Sequence, residues 1–98
     1  MKRLSTIKKI LIKHKPEIVK RFHVKEIGIF GSYVRNEQGK RSDIDILVEF
    51  KAGHYNFDNY MELKFFLEDH FKEPVDLIIK KGVRPELKSI IMNETIYV

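Results

Sequence analysis

The spacing of apolar residues near the start of the chain is helical. Ile7 and Leu11 are four residues apart and fall on one helical face. Ser5 stands where it can cap this helix. Pro16 is expected to break or restart the helix, because proline lacks the backbone N–H that the helical ladder needs. The pattern therefore predicts two helical pieces, the second ending near Phe22.

Strand-like patterns follow in several places, each rich in β-branched or aromatic residues. The first, VKEIGIF, ends at the pair Gly31-Ser32, where a short helix could begin before a polar loop over 36–41. Three further strands are predicted, over 43–50, over 74–80 (PVDLIIK) and, more briefly, in the tail TIYV.

Helical spacing returns twice, and the clearer case runs from Phe57 to Phe71 over a wide apolar face. A last helix should begin near Pro85, a residue suited to a first helical turn. Its apolar residues Leu87, Ile90 and Ile91 are expected to point inward. The apolar face predicted for the longer helix comprises Phe57, Tyr60, Met61, Leu63, Phe65, Phe66, Leu67 and Phe71.

Helices and strands alternate through the chain, and this order predicts an α/β (α+β) fold. We expect a small mixed sheet of about four strands with helices packed on it. Few helices are available, so one side of the sheet should remain relatively open. With 98 residues the chain is expected to form a single domain over 1–98.

Composition narrows the functional classes. No cysteine is present, which excludes disulfides, thiolate zinc sites and a cysteine nucleophile. Lysines interrupt the apolar residues of the first segment, which argues against a signal peptide, and no segment has the roughly 20 apolar residues of a membrane span. We therefore expect a cytoplasmic protein. The net charge of +5 suits a nucleic acid or nucleotide partner, but the lysines are spread along the chain and equally suit a solvated surface.

Two aspartates at the start of the second predicted strand are the first candidate for chemistry. Strand alternation places Asp43 and Asp45 on one face, opposite Ile44 and Ile46. Such close carboxylates repel and raise each other's pKa, unless a cation such as Mg²⁺ or Mn²⁺ lies between them. Asp76, in the third predicted strand, would reach the same place if the two strands are neighbours. Otherwise the pair is a turn and cap, and Asp76 an ordinary residue of an edge strand.

The Gly31-Ser32 pair lies between a strand and a possible helix. Glycine permits close backbone approach, and backbone N–H groups with the serine hydroxyl can hold phosphate oxygens. Arg35, Lys40 and Arg41 supply positive charge nearby. Alone, a Gly-Ser pair usually marks a simple turn. Its specificity comes from the Asp-x-Asp that follows it inside a strand.

The segment FGSYVRNEQGKRSDIDILVEF resembles the signature of the polymerase-beta-like nucleotidyltransferase superfamily. Gly31, Ser32, Asp43 and Asp45 match that signature, and Asp76 matches its later third carboxylate. The small size and the TIYV ending are similar to the minimal nucleotidyltransferases, which include the MntA antitoxins. The chain departs from many of them at position 36, where asparagine replaces a glycine of the loop.

The resemblance implies a polymerase-beta-like nucleotidyltransferase fold and a Mg²⁺-dependent protein adenylyltransferase. Asp43 and Asp45 would bind two metal ions, and Asp76 would bind the catalytic one and help activate a hydroxyl. Gly31 and Ser32, with Arg35 and Arg41, would bind the nucleotide. AMP would pass from ATP to a tyrosine of a HEPN-domain RNase toxin, the expected protein partner. Neither a membrane nor direct nucleic-acid binding is expected.

Two other functions stay open at this point. The chain could inhibit its partner by complex formation alone, which intact Asp43, Asp45, Asp76 and Ser32 disfavour. It could instead modify a small molecule or an RNA. The absence of residues for an acceptor-binding domain disfavours that alternative and indicates that another protein presents the acceptor.

The remaining polar and aromatic residues carry weaker functional signals. The four histidines show no metal-ligand spacing, and Glu49 is expected to be exposed. Tyr55 and Tyr60 could belong to a partner-binding face, although core packing of the long helix also explains most of its aromatic residues.

Overall fold

The computed structural model describes residues 3–39 and 43–98. Within these ranges the helices and strands follow the predicted alternation. A 3₁₀ turn at Lys80–Gly82 joins the third strand to the last helix. The bounds are α1 Leu4–Phe22, β1 Val24–Phe30, α2 Ser32–Arg35, β2 Ile44–Phe50, α3 Phe57–Phe71, β3 Val75–Ile79, α4 Pro85–Glu94 and β4 Ile96–Tyr97.

α1 is one continuous helix, and the predicted break at Pro16 was wrong. The missing proline N–H leaves the carbonyl of Ile12 without its helical partner. Both Pro16 and Ile12 are exposed, so that carbonyl can turn to water at small cost. Ser5 lies inside the helix rather than capping it, and Arg3 takes the cap position without a side-chain hydrogen bond.

The sheet has the strand order β3-β2-β1-β4. β1 runs antiparallel to both β2 and β4. β2 and β3 run parallel, and α3 lies in the crossover connection that parallel neighbours need. The mixed four-stranded sheet predicted from the alternation is therefore confirmed.

One face of the sheet carries the core. Its strand residues alternate with those of the opposite face, as Ile44, Ile46 and Val48 do along β2, and all three are at most 1% exposed. Buried side chains of α1 and α3 pack against this face, and each full burial of such a side chain contributes roughly 1.5–3 kcal/mol. The helical members of this core are Ile7, Leu11, Ile18, Phe22, Leu63, Leu67 and Phe71.

The helices bury narrower stripes than their sequences predicted. In α3 the buried positions Leu63, Leu67 and Phe71 recur every four residues, while Phe57 and Phe65 are 73% and 58% exposed. In α4 none of the residues is fully buried. The expectation that Leu87 and Ile90 point inward was wrong, since they are 45% and 60% exposed. A sheet covers only the side of a helix that faces it, so a wide apolar face leaves residues in water.

The opposite face of the sheet mixes charged residues with apolar ones such as the buried Leu47, and a lysine links two of its acids. Lys80 Nζ lies 2.8 Å from Glu26 Oε2 and 3.9 Å from Glu49 Oε1. The Glu49 side chain is only 17% exposed, so the expectation of an exposed residue was wrong. Lys80 also lies over the Tyr97 ring, at 5.4 Å from its centroid. Across the parts of the chain that the structure describes, no helix is long and apolar enough to cross a membrane.

Candidate active site

The pairing of β2 with β3 brings Asp45 and Asp76 side by side. The two residues are direct partners in the parallel register, and each points away from the core face. The Ile44 N–H donates to the Pro74 carbonyl at 3.0 Å, which fixes the starts of the two strands relative to each other. Asp76 is exposed and Asp45 is half-buried. The juxtaposition expected for neighbouring strands is therefore present.

Asp43 completes the acidic group from just before β2, where it is exposed. It acts on Asp45 electrostatically and raises the pKa of that carboxyl. All three predicted carboxylates therefore lie at one end of the parallel strand pair. Arg41, another predicted nucleotide contact, lies outside the described residues.

Gly31 and Asp45 form a close contact that only glycine permits. Gly31 has φ 79° and ψ −151°, a backbone conformation that is nearly restricted to glycine. A Cβ added to it would lie 2.0 Å from Asp45 Oδ2, well inside van der Waals contact. The next residue, Ser32, donates a backbone hydrogen bond to Asp45. The Gly-Ser pair and the Asp-x-Asp pair are therefore in direct contact in the folded chain.

The environment of Asp45 disfavours its charged form. Burial is the main cause, followed by repulsion from Asp76, and together with a smaller effect of Asp43 they raise the pKa of Asp45 to about 6. The hydrogen bond from Ser32 and the positive charge of Arg35 act in the opposite direction without cancelling the shift. A carboxylate held ionised here at neutral pH costs free energy that a nearby cation would recover.

The donor chemistry of this end of the sheet fits a hard divalent cation. The three side chains offer only carboxylate oxygens, the ligands that Mg²⁺ and Mn²⁺ prefer. Asp45 and Asp76 repel each other across the register pair, which is the arrangement that a bridging cation relieves. In residues 3–39 and 43–98, no three acidic, histidine or cysteine side chains already converge as a metal-holding group. The acids would therefore have to turn toward an ion as it binds.

Arg35 and Glu94 extend the site on its basic side. Arg35, at the end of α2, is half-exposed and its guanidinium is held between two acids. Its Nε lies 2.9 Å from Glu37 Oε1, and its Nη1 lies 2.6 Å from Glu94 Oε1. The same Glu94 oxygen accepts a hydrogen bond from the Gly31 N–H at 2.5 Å. The backbone donors of Gly31 and Ser32 are thus both engaged by carboxylates of the chain itself.

Sequence reasoning missed Glu94 entirely. It lies 63 residues from Gly31 and 59 from Arg35 along the chain, and it looks like any other polar residue at the end of a helix. Only its place at a helix C-terminus, where a negative charge is disfavoured, could have drawn attention to it.

A cleft of about 430 Å³ lies at the far end of β2, around Phe50, Gly53 and Tyr55. Another, of about 560 Å³, lies beside α2, around Tyr33, Asn36 and Gln38. The predicted acids line neither of them. Tyr60, one of the two tyrosines considered for a partner-binding face, donates its hydroxyl to the Leu77 carbonyl at 2.6 Å and so serves the packing of α3 on β3.

The histidines meet in pairs. His14 of α1 and His70 of α3 have ring centroids 4.0 Å apart, and His23 stacks on His54 at 3.9 Å. Neither pair gathers a third acidic or histidine side chain within the described ranges.

A small mixed sheet with acids on one face and a glycine-serine turn beside them defines the nucleotidyltransferase class. The sequence model of the nucleotidyltransferase domain family matches residues 11–98, and the chain belongs to that family. The resemblance to the minimal nucleotidyltransferases is thereby confirmed.

Proteins with similar sequences support the same family assignment. The chain is 40% identical over 95 residues to protein adenylyltransferase MntA of Thermococcus cleftensis, covering 97% of this chain and 95% of that protein. It is 48% identical over 100 residues to MJ1379 of Methanocaldococcus jannaschii, provisionally named a protein adenylyltransferase, with complete coverage of both.

Solved structures share the fold. A protein provisionally described as a minimal nucleotidyltransferase superposes with a TM-score of 0.76 at 26% identity, covering 92% of this chain and 93% of that one. A complex of a tri-AMPylated Shewanella oneidensis HEPN toxin with an MNT antitoxin gives 0.65 at 20% identity, covering 93% and 70%. At that identity the second likeness carries the fold alone.

Proposed function

We propose that this chain is a Mg²⁺-dependent protein adenylyltransferase that acts as an antitoxin, transferring AMP from ATP to a tyrosine of a HEPN-domain toxin. The observation that carries the proposal is the register pairing of Asp45 with Asp76 beside the Gly31 turn. The names of the 40% and 48% identical relatives support the reaction. The partner and the tyrosine acceptor are what the resemblance to the MntA antitoxins implies.

The three acids would hold the divalent ions. Asp43 and Asp45 would bind both, and Asp76 the catalytic one. When bound, such ions neutralise charge on the phosphates and lower the pKa of an attacking hydroxyl. Mn²⁺ has the same ligand preference and could substitute for Mg²⁺.

The reaction is a displacement at the α-phosphorus of ATP. The acceptor oxygen bonds to that phosphorus, the bond to the oxygen that bridges to the β-phosphorus breaks, and pyrophosphate leaves. Asp76, exposed beside the site, takes up the hydroxyl proton. The Ser32 hydroxyl and the Arg35 guanidinium contact the phosphates, and Arg35 must exchange contacts with Glu37 or Glu94 to do so.

The exposure of the acids supports a protein acceptor. Asp43 and Asp76 are exposed on one face of the sheet, and neither of the clefts described above includes them. A hydroxyl on the surface of another protein can therefore reach them. A partner protein brings its own surface, and with it the hydroxyl.

Mass spectrometry tests the proposal directly. The chain is incubated with ATP, Mg²⁺ and a HEPN-domain protein from the same genome, and that protein is examined for added AMP on tyrosine. Asp45→Asn and Asp76→Asn should each slow the modification on the order of 100-fold or more. Asp69→Asn, which removes an exposed acid of α3, is the matched control and should react like the wild type.

Two results would overturn the assignment. Equal modification by the wild type and Asp45→Asn would show that the acids take no part in the reaction. A tight complex without any modification would instead make the chain an inhibitor that works by binding.

A further inference from the structure

Glu94 occupies an unexpected position at the end of α4. It is the last residue of that helix, and its side chain is only 16% exposed. The negative end of the helix dipole disfavours an acid at such a place. Contacts made by the carboxylate must therefore offset this cost.

Those contacts lie in the candidate active site. One oxygen of Glu94 accepts hydrogen bonds from the Gly31 N–H at 2.5 Å and from Arg35 Nη1 at 2.6 Å. Hydrogen bonds to an ionised group are among the stronger ones in proteins, particularly when the pair is shielded from water. Glu94 thus ties the end of α4 to both ends of the short segment 31–35.

The turn is held from two sides. Asp45 of β2 accepts the Ser32 N–H, and Glu94 of α4 accepts the Gly31 N–H. The position of Asp45 depends on this turn, because no Cβ separates Gly31 from its Oδ2. A shift of Gly31 would therefore force the Asp45 carboxylate to move as well.

Arg35 is held by two acids that differ in their exposure to water. The Glu37 side chain is 59% exposed, and surface ion pairs of that kind contribute little. The Glu94 side chain is far better shielded. A free arginine side chain has many rotamers, and the better-shielded contact restricts them most.

We propose that Glu94 is a positioning residue that holds the Gly31-Ser32 turn and orients Arg35 for the phosphates of the nucleotide. This inference rests on the proposed function, since it names how the same site is prepared for ATP. It acts through Arg35 and Gly31 and needs no contact with the nucleotide itself.

Nucleotide affinity in a double-mutant cycle tests the proposal. Binding of ATP with Mg²⁺ is measured by calorimetry for the wild type, Glu94→Ala, Arg35→Ala and the double variant. Glu94→Ala should weaken binding about tenfold, the scale of one charge-assisted hydrogen bond. The same change made in Arg35→Ala should have a clearly smaller effect, because residues that act through each other are not additive.

Two further variants separate positioning from general stability. Glu94→Gln keeps an acceptor for the Gly31 N–H but loses the charge that pairs with Arg35, so its affinity should lie between the wild type and Glu94→Ala. Glu86→Ala removes an exposed acid from the first turn of the same helix and should bind ATP like the wild type.

Three results would overturn the proposal. Unchanged affinity in Glu94→Ala would leave Glu94 with a purely structural role. Tighter binding would mean that its carboxylate competes with the phosphates. Fully additive losses in the cycle would show that it does not act through Arg35.

NMR keeps the inference separate from the proposed function. Exchange of the Gly31 amide hydrogen is followed without nucleotide, and Glu94→Ala should accelerate it while amides of β2 stay protected. An unchanged exchange rate would overturn the positioning role even for a chain that binds ATP. A wild type that binds no ATP, with exchange accelerated as expected, would refute the function and leave the role of Glu94 in the turn supported.

Discussion

The two faces of the sheet are built on different principles. The covered face consists of alternating apolar residues that meet the stripes of α1 and α3. The opposite face, at the acidic end, consists of charged residues whose arrangement depends on single contacts between distant segments, such as Glu94 with Gly31. The first face has many interchangeable contacts, whereas the second has few that can be replaced. Mutations on the covered face should therefore change stability, and mutations on the other face should change the site first.

The largest effect on stability is expected on the covered face. Phe71→Ala should lower the free energy of unfolding by about 4 kcal/mol, because it empties a fully buried position at the end of α3. Phe65→Ala is the matched control, since Phe65 is on the same helix and 58% exposed, and should cost less than about 1 kcal/mol. Urea unfolding measures both. Similar losses would contradict the assignment of the α3 stripe, and Phe71→Leu provides a milder variant if the alanine form does not fold.

The next effect concerns the glycine beside the acids. Gly31→Ala should cost roughly 1–3 kcal/mol from backbone strain, and the collision with Asp45 should also abolish adenylyl transfer. Gly53→Ala is the control, because Gly53 has φ +80° but no atom within 4 Å of an added Cβ. It should lose stability and keep activity. Thermal unfolding and the AMP-transfer assay report the two properties, and an active Gly31→Ala would refute the contact.

Removing the charge of Asp45 should have a smaller effect on the free energy of unfolding, and this effect should be stabilising. The pKa of Asp45 rises from 3.8 in the unfolded chain to about 6, so the folded wild type is destabilised increasingly as pH rises between these values. In EDTA at pH 8, Asp45→Asn should gain about 1–2 kcal/mol after discounting for partial exposure, and the gain should vanish below about pH 3.8.

Added Mg²⁺ tests whether Asp45 belongs to a metal site. Added Mg²⁺ should stabilise the wild type and leave Asp45→Asn nearly unchanged, because a ligand that binds only the folded state stabilises it. Urea midpoints with and without the ion check this. An equal response in both proteins would contradict a metal site at Asp45.

The smallest effect on stability is expected where His14 of α1 meets His70 of α3. Burial, followed by the neighbouring His70, lowers the pKa of His14 against the weaker opposing effect of Glu17. A histidine with a lowered pKa contributes stability above its unfolded pKa of 6.5, and this is lost as pH falls. The urea midpoint of His14→Gln should therefore fall less between pH 7.5 and pH 5.5 than that of the wild type. A steeper fall would contradict the sign of the shift.

The sequence revealed what depends on local pattern. The bounds of β1 and α3 and the alternation of Ile44 with Asp45 follow from spacing and parity. The closeness of Asp76 was predicted only on the condition that its strand neighbours β2, which the sheet pairing fulfils. The continuity of α1 through Pro16 could not be predicted that way, because it depends on which side of the helix faces water.

The part of the site that escaped prediction is the part made by long-range contacts. Gly31 was predicted as a phosphate-binding turn, and that role remains a prediction. Its contact with Asp45 and its hydrogen bond to Glu94 arise only when three separate segments meet. The same holds for Lys80, which ties Glu49 to Glu26 across the sheet. No local sequence pattern predicts such long-range contacts.

The bond between Glu94 and Gly31 also has a consequence for the order of folding. It joins residues 63 positions apart, so the chain between them must be closed into a large loop before the bond can form. Contacts of such separation are slow to form compared with those inside a helix or between neighbouring strands. The helices and the β1–β2 pair can therefore assemble first, while the turn beside the acids stays unset. In native fluctuations the same contact should open together with β4, which follows Glu94 and pairs with β1 at only two positions.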